Sequence, residues 1–171
     1  MFLGIFDAAK PKYDTSVIRN LGLIHSVSGF QHFRLSHALL NVRKHLVTSG
    51  FVPYYSGLKN LELLAAINRR VSKEWLNACM EQIGLGDAKN KRVSKYSMGM
   101  RQRLGIAQAI MENPRLLILD EPLNGLDEQG VEDIRALLLE LKRKGKTILL
   151  SSHNGEDIDL LCDSVCKMAS G

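Results

Sequence analysis

From Asn60 onward, apolar residues fall at regular intervals along the chain. Leu63, Leu64 and Ile67 share one short helical face. Trp75, Leu76, Cys79, Met80 and Ile83 share a second, which Gly84 and Gly86 bring to a stop. Met100, Leu104, Ala107 and Met111 recur at helical spacing and predict a helix that ends before Pro114. Leu116–Leu119 is an unbroken apolar run of strand length, and Thr147–Leu150 is another. Between them Val131, Ile134, Leu137, Leu138 and Leu141 mark an amphipathic helix. Lys142, Arg143 and Lys144 sit at its negative dipole end, and Gly145 is its stop. Ile158, Leu161 and Val165 continue as a last helix or its edge. Strand, helix, strand with unbroken apolar strands predicts a parallel sheet covered on both faces. The regular stretch before it reads as all helix. The expected class is α/β, a parallel sheet with flanking helices plus an α-helical subdomain.

The N-terminal part does not share this order. Residues 15–61 contain no Asp or Glu and hold four of the five histidines, His25, His32, His37 and His45, without a sustained helical or strand period. The histidines show no metal-binding spacing. At 171 residues and 45% hydrophobic, the chain has enough apolar material for one core. Its net charge of +5 is local: residues 1–60 carry seven Lys or Arg against two acids, and sixteen of each sign remain after position 60. The periodic part is neutral, so nucleic acid is not an expected partner. Cys79, Cys162 and Cys166 form no metal or redox spacing, and Cys162 and Cys166, one helical turn apart, are expected to face a core. No cationic leader with a long apolar run opens the chain. Nothing approaches the ~18 apolar residues of a membrane span.

Chemistry enters where the first strand ends. Leu116-Leu117-Ile118-Leu119 runs into Asp120-Glu121-Pro122, so a buried strand delivers two adjacent carboxylates to one end of the sheet. Such a pair suits a phosphate with its Mg²⁺, one carboxylate on the metal and the other on the attacking water. Upstream, Tyr96-Ser97-Met98-Gly99-Met100-Arg101-Gln102-Arg103 opens a helix, and the free amides and positive dipole end there favour an anion. His153 follows Ser151-Ser152 at the end of the second strand. Read alone, Ser97 is an ordinary N-cap, Asp127 is another, and a lone histidine is structural.

Together, in this order and spacing, these segments resemble the ATP-binding cassette ATPases. Tyr96–Arg103 looks like the family's signature segment, Leu116–Glu121 its Walker B strand, Asn124-Gly125-Leu126-Asp127 its D-loop, and His153 its switch histidine. The resemblance covers roughly Gly50 to Gly171, and the Tyr-Ser-x-Gly-Met form is similar to that of drug and peptide exporters. It implies part of a P-loop NTPase cassette with ATP and Mg²⁺ as its ligands. It also implies that Asp120 holds the metal, that Glu121 is the general base, and that His153 bonds the γ-phosphate. Ser97, Met98, Gly99 and Met100 would close over the γ-phosphate of a second cassette, with Asp127 contacting across that dimer. Arg101 and Arg103 are expected on solvent or structural carboxylates. The implied partners are a second cassette and a transmembrane permease subunit, and the implied place is the cytoplasmic face of the cell membrane.

The family's Gly-x-x-x-x-Gly-Lys-Ser/Thr loop is missing before Tyr96. The only Gly-Lys-Thr, Gly145-Lys146-Thr147, lies after the D-loop and reads as a helix stop leading into a strand. Residues 1–50 are set apart as an atypical segment, a remnant or a stretch read out of frame, although Met1–Pro11 resembles the stretch after the phosphate loop's helix in exporters. Residues 51–171 are taken as the cassette fragment, with 51–113 the helical subdomain and 114–171 the Walker B, D-loop and switch part. The expected function is the ATP-binding subunit of an exporter, with this chain inactive alone. The alternative is a non-catalytic module, or an inert fragment, that pairs with an intact cassette. A chromosome-type ATPase would carry long heptad segments, which are absent, and a translation-factor cassette would be tandem. With no central strand before a phosphate loop, the sheet is expected to expose strand edges and to be marginally stable.

Overall fold

The computed structural model describes residues 2–6, 42–45, 50–68 and 71–167, the first two segments by their backbone. His25, His32 and His37, and nearly all of the segment set apart as 1–50, lie outside the described residues. The elements are β1 (Phe2–Phe6), β2 (Val42–His45), α1 (Gly57–Asn68), α2 (Lys73–Gln82), α3 (Met98–Ile110), β3 (Leu116–Asp120), α4 (Glu128–Arg143), β4 (Thr147–Ser152), α5 (Gly155–Leu161) and β5 (Ser164–Lys167). A short 3₁₀ turn at Val93–Lys95 precedes α3.

The strands form one sheet in the order β2-β3-β4-β1-β5. β2, β3 and β4 are parallel, with Asp120 opposite Ser151 at the carboxyl end. That is the expected parallel α/β core. On the other side of β4, β1 lies between β4 and β5 and is antiparallel to both. Its sequence, Phe-Leu-Gly-Ile-Phe, is unbroken apolar, the composition of an interior strand. The sheet is therefore mixed.

Helix α3 sits at the centre of the packing. Leu104, Ile106, Ala107, Ala109 and Ile110 are all buried, and the helix contacts both β2 and α2. α2 buries Leu76, Cys79 and Met80, while α4 buries Ile134, Leu137 and Leu138 on the face the periodicity predicts. Both predicted glycine stops occur in one form. After α2, Leu85 N–H reaches Met80 O (2.9 Å) and Gly84 N–H reaches Glu81 O (2.9 Å), with Gly84 at φ 69°. After α4, Lys146 N–H reaches Leu141 O (3.1 Å) and Gly145 N–H reaches Lys142 O (2.9 Å), with Gly145 at φ 82°. These are Schellman motifs, which a left-handed glycine closes without a Cβ penalty. Gly145-Lys146-Thr147 is thus a helix stop feeding β4, at the opposite end of that strand from His153.

Three expectations change. In α1 the buried apolar residues are Leu58, Leu61 and Ala65, with Leu64 partly buried beside them as read in the sequence, while Leu63 and Ile67 are exposed, two positions away from that stripe. Val165 and Cys166 lie on a strand rather than a helix, so Cys162 is half-buried against the core but Cys166 is exposed. Trp75 is an anchor at the edge of the core: its Nε1–H donates to Met111 O (2.7 Å). A buried amide that the periodicity does not reveal, Asn60, ties the loop before α1 to the helix. It accepts from Val52 N–H (2.7 Å) and donates to the carbonyls of Val52 (3.1 Å) and Ser56 (2.9 Å). Among the described residues no helix is long and apolar enough to cross a membrane.

This packing has two measurable outcomes. Leu104 has no exposed surface, so Leu104→Ala is expected to cost about 2–5 kcal/mol of stability in denaturant titration, whereas Leu63→Ala, at an exposed position, stays within about 0.5 kcal/mol. Burial pushes the Cys79 and Cys162 thiols up to about 11. At pH 8 iodoacetamide should therefore label Cys166 quickly and the other two only on unfolding, as read by peptide mass.

Candidate functional site

Ser97 has the extended backbone of an N-cap (φ −64°, ψ 170°), and its Oγ accepts from Met100 N–H (3.1 Å). The first helix amides, those of Met98 and Gly99, have no carbonyl within the helix to reach. Tyr96 anchors the turn from behind: it is buried, its hydroxyl donates to Ala88 O (2.8 Å), and burial raises its pKa. Arg101 reaches back from the helix to Tyr96 O (2.7 Å).

This turn faces Gly125 in the loop after β3. A Cβ on Gly99 would stand 3.0 Å from Gly125 O, and one on Gly125 (φ 74°) would stand 2.8 Å from Met98 Cε. The Met98 side chain, itself 61% exposed, lies across Gly125. Ser97, Met98, Gly99, Met100 and Asp127 all line one cleft of about 390 Å³, with Arg103 on its wall. Asp127 caps α4, Oδ1 accepting from Gly130 N–H (3.0 Å), and leaves most of its carboxylate in solvent, 3.6 Å from Arg103 Nη2. Arg103 also donates to Ile83 O (3.2 Å) and meets Asp133 (3.4 Å), so it ties the end of α2 to α4 through carboxylates and a carbonyl, as expected.

Asp120, Glu121 and His153 converge elsewhere, at the carboxyl ends of β3 and β4. The register that sets Asp120 opposite Ser151 puts both side chains on one face, and the Ser151 hydroxyl donates to Asp120 Oδ1. The same hydroxyl oxygen accepts from Glu121 N–H (3.2 Å). His153 is exposed, with Nε2 3.4 Å from Glu121 Oε1. That carboxylate oxygen is buried without a hydrogen-bond partner among the described residues, an unsatisfied acceptor of the kind that marks a site prepared for a donor. Asp120 is exposed and offers hard oxygen ligation. Among the described residues no group of three or more His, Cys, Asp or Glu could hold a metal ion. The donor set fits Mg²⁺ in its usual protein form, one or two carboxylates with phosphate and water completing the shell.

Two site residues escape a reading by motif. Gln102 is buried on α3, and its Nε2–H donates to Glu121 O (2.8 Å). Ser151 bridges both carboxylate residues. The signal for Gln102 was available as a polar residue on the apolar stripe it shares with Ile106 and Ala109. Ser151 shows only through the pairing register.

The ABC transporter family matches residues 15–124. The bacitracin transport ATP-binding protein BcrA of Enterococcus faecalis is 46% identical over 72% of this chain and 41% of its own length. The ABC transporter ATP-binding protein YdbJ of Bacillus subtilis is 40% identical over 85% of this chain and 48% of its own. The lantibiotic transport ATP-binding protein SrtF of Streptococcus pyogenes is 36% identical over 66% and 50%. The solved ATP-binding cassette MJ1267 of an ABC transporter superposes with a TM-score of 0.56 at 25% identity, over 67% of this chain and 51% of that one. The chain spans about half the length of the curated relatives it matches. With the match covering more than half of the sequence, and with the sheet and helices arranged as in a solved cassette, the chain belongs to the ABC transporter family.

Proposed function

We propose that this chain is the signature, Walker B and switch portion of an ATP-binding subunit whose ATP hydrolysis is coupled to solute export through a separate membrane permease. The supporting observation is the convergence of Asp120, Glu121 and His153 at the carboxyl ends of two parallel strands, with Ser151 bracing the two acids. The bacitracin and lantibiotic names of two relatives favour export of a peptide-like solute. Residues 51–113 act as the helical subdomain and 114–171 as the catalytic part. The permease contact places the chain at the cytoplasmic face of the membrane.

In this reading the exposed Asp120 carboxylate holds Mg²⁺, steadied by the Ser151 hydroxyl. When bound, the ion neutralises charge on the β- and γ-phosphate oxygens. Glu121 orients the attacking water and takes its proton, with its buried Oε1 as the waiting acceptor. His153, on the solvent side of Glu121, donates to the γ-phosphate. The cleft at Ser97–Met100 serves a different nucleotide. Its amides and dipole end receive the γ-phosphate carried by a second cassette, and Asp127 contacts that partner across the interface.

The phosphate loop is the missing element, and magnitudes decide what that costs. Charge-assisted hydrogen bonds contribute ~1.5–3 kcal/mol each. Three of them lost weaken ATP binding by at least ~4.5 kcal/mol, roughly a thousandfold. The isolated chain is therefore expected to bind MgATP in the millimolar range or weaker and to turn it over negligibly. Micromolar binding by calorimetry, together with turnover abolished by Glu121→Gln, would refute this.

The second reading, a module that completes another cassette's site, draws on a signature turn that needs no phosphate loop of its own. Mixed with an intact cassette of the same transporter in ATP, the chain should co-elute in an ATP-dependent manner. Ser97→Arg should abolish that association by placing bulk against the phosphate, and Asp120→Asn should leave it within about twofold. Association insensitive to ATP or to Ser97→Arg rules the module out.

A further inference from the structure

Glu121 has φ 47°, a left-handed backbone that a residue with a Cβ rarely adopts. Among the described residues the other non-glycine residue in that region is Asn113, a type that tolerates it. The neighbours of Glu121 account for the conformation. On one side its N–H donates to Ser151 O (3.2 Å) and to Ser151 Oγ (3.2 Å). On the other its carbonyl accepts from Asn124 N–H (3.1 Å) and from Gln102 Nε2–H (2.8 Å). The Asn124 bond is local to the turn and closes with it. The Ser151 bonds hold the amide to β4. The Gln102 bond is the only one of the four that comes from α3, and its donor is a carboxamide 3% exposed on a face otherwise built of Leu, Ile and Ala.

A buried carboxamide on that face is a costly choice for packing alone, since a Leu or Met of similar volume would fill the space without a polar group to satisfy. Its placement suggests what it does. Gln102 stands five residues after Ser97, about 7.5 Å along one rigid helix. Helix α3 therefore carries the signature turn at its start and the clamp on Glu121 just over one turn later.

We propose that Gln102 is a positioning residue. It holds the Glu121 carbonyl, keeps that residue left-handed, and so keeps the carboxylate directed at His153 and at the water it would orient. Through it, the helix that begins at the signature turn sets the geometry of the acid at the end of β3. This rests on the reading of Glu121 as the general base, but the clamp itself is testable without nucleotide.

The experiment uses the ¹⁵N,¹³C-labelled chain and its Gln102→Leu, Gln102→Met and Gln102→Glu variants. In the unmodified chain the Gln102 side-chain amide protons should exchange as slowly as β3 backbone amides; exchange at solvent rates overturns the proposal even if no variant folds. In the variants that fold, the HN–Hα coupling of Glu121 should leave its left-handed value. The contact between Glu121 and the His153 ring should be lost, with α4 and β4 resonances unchanged. Retention of both in a folded Gln102→Leu chain means that the amide only satisfies a carbonyl, and the positioning role fails. A stability cycle gives an independent answer. With Gln102 present, Glu121→Gly should exceed Glu121→Ala in folding equilibrium by roughly five- to thirtyfold, the cost of a Cβ in the left-handed region. In the Gln102→Leu background that preference should fall below about twofold, and an unchanged preference overturns the proposal. Should the clamp be found while the transporter that carries this chain shows no ATP hydrolysis coupled to export, the positioning stands and only the functional assignment falls.

Discussion

The burial of helix α3 is the constraint on which the rest of the molecule depends. Its residues face β2 on one side and α2 on another, so there is almost no face left for solvent beyond its first turn. A helix buried in this way cannot rotate or slide without opening voids against several elements at once, because protein interiors are close-packed and do not deform continuously. The exposed first turn inherits that rigidity. Gly99 and the loop glycine it faces stand so close that a Cβ on Gly99 would press on the Gly125 carbonyl, although Gly125 lies at the surface. Precision at the rim is supplied by apolar contacts a few residues away.

The carboxylates at the other end of the same network are fixed by different means. Asp120 and Glu121 leave β3 where the sheet can no longer hold them by its ladder alone. A serine on the neighbouring strand takes over, accepting from one backbone and donating to the other residue's carboxylate. A single hydroxyl can do both because it is donor and acceptor together. An alanine there would leave the strand pairing intact and the Asp120 carboxylate without its donor.

Much of this was legible in the sequence, and the boundary of legibility is physical. Unbroken apolar strands, the α4 stripe and the two glycine stops were readable because each is determined within a few residues. The α1 stripe was misread by two positions: Leu63 and Ile67 fit a helical period as well as Leu58, Leu61 and Ala65 do, and only the position of α2 decides which face is covered. Cys166 was misplaced because four residues cannot distinguish a strand from the end of a helix. The residues of the candidate site were visible as motifs, and the resemblance already set the turn at Ser97 apart from the acids after β3, but the bonds that hold them were not. Nor were Gln102 and Ser151, whose importance comes from bonds 19 and 30 positions away in sequence.

The place of β1 also bears on how the chain is made. Phe6 pairs with Ile148, and Phe2 with Ser152 and Lys167. During synthesis β1 leaves the ribosome long before either neighbour exists. At ~5–20 residues per second that strand waits on the order of ten seconds with its ladder groups unpaired. Contacts of such sequence separation also form slowly once all partners are present. The antiparallel strand that fills out the folded sheet is thus a segment open to misassembly while the protein is being born.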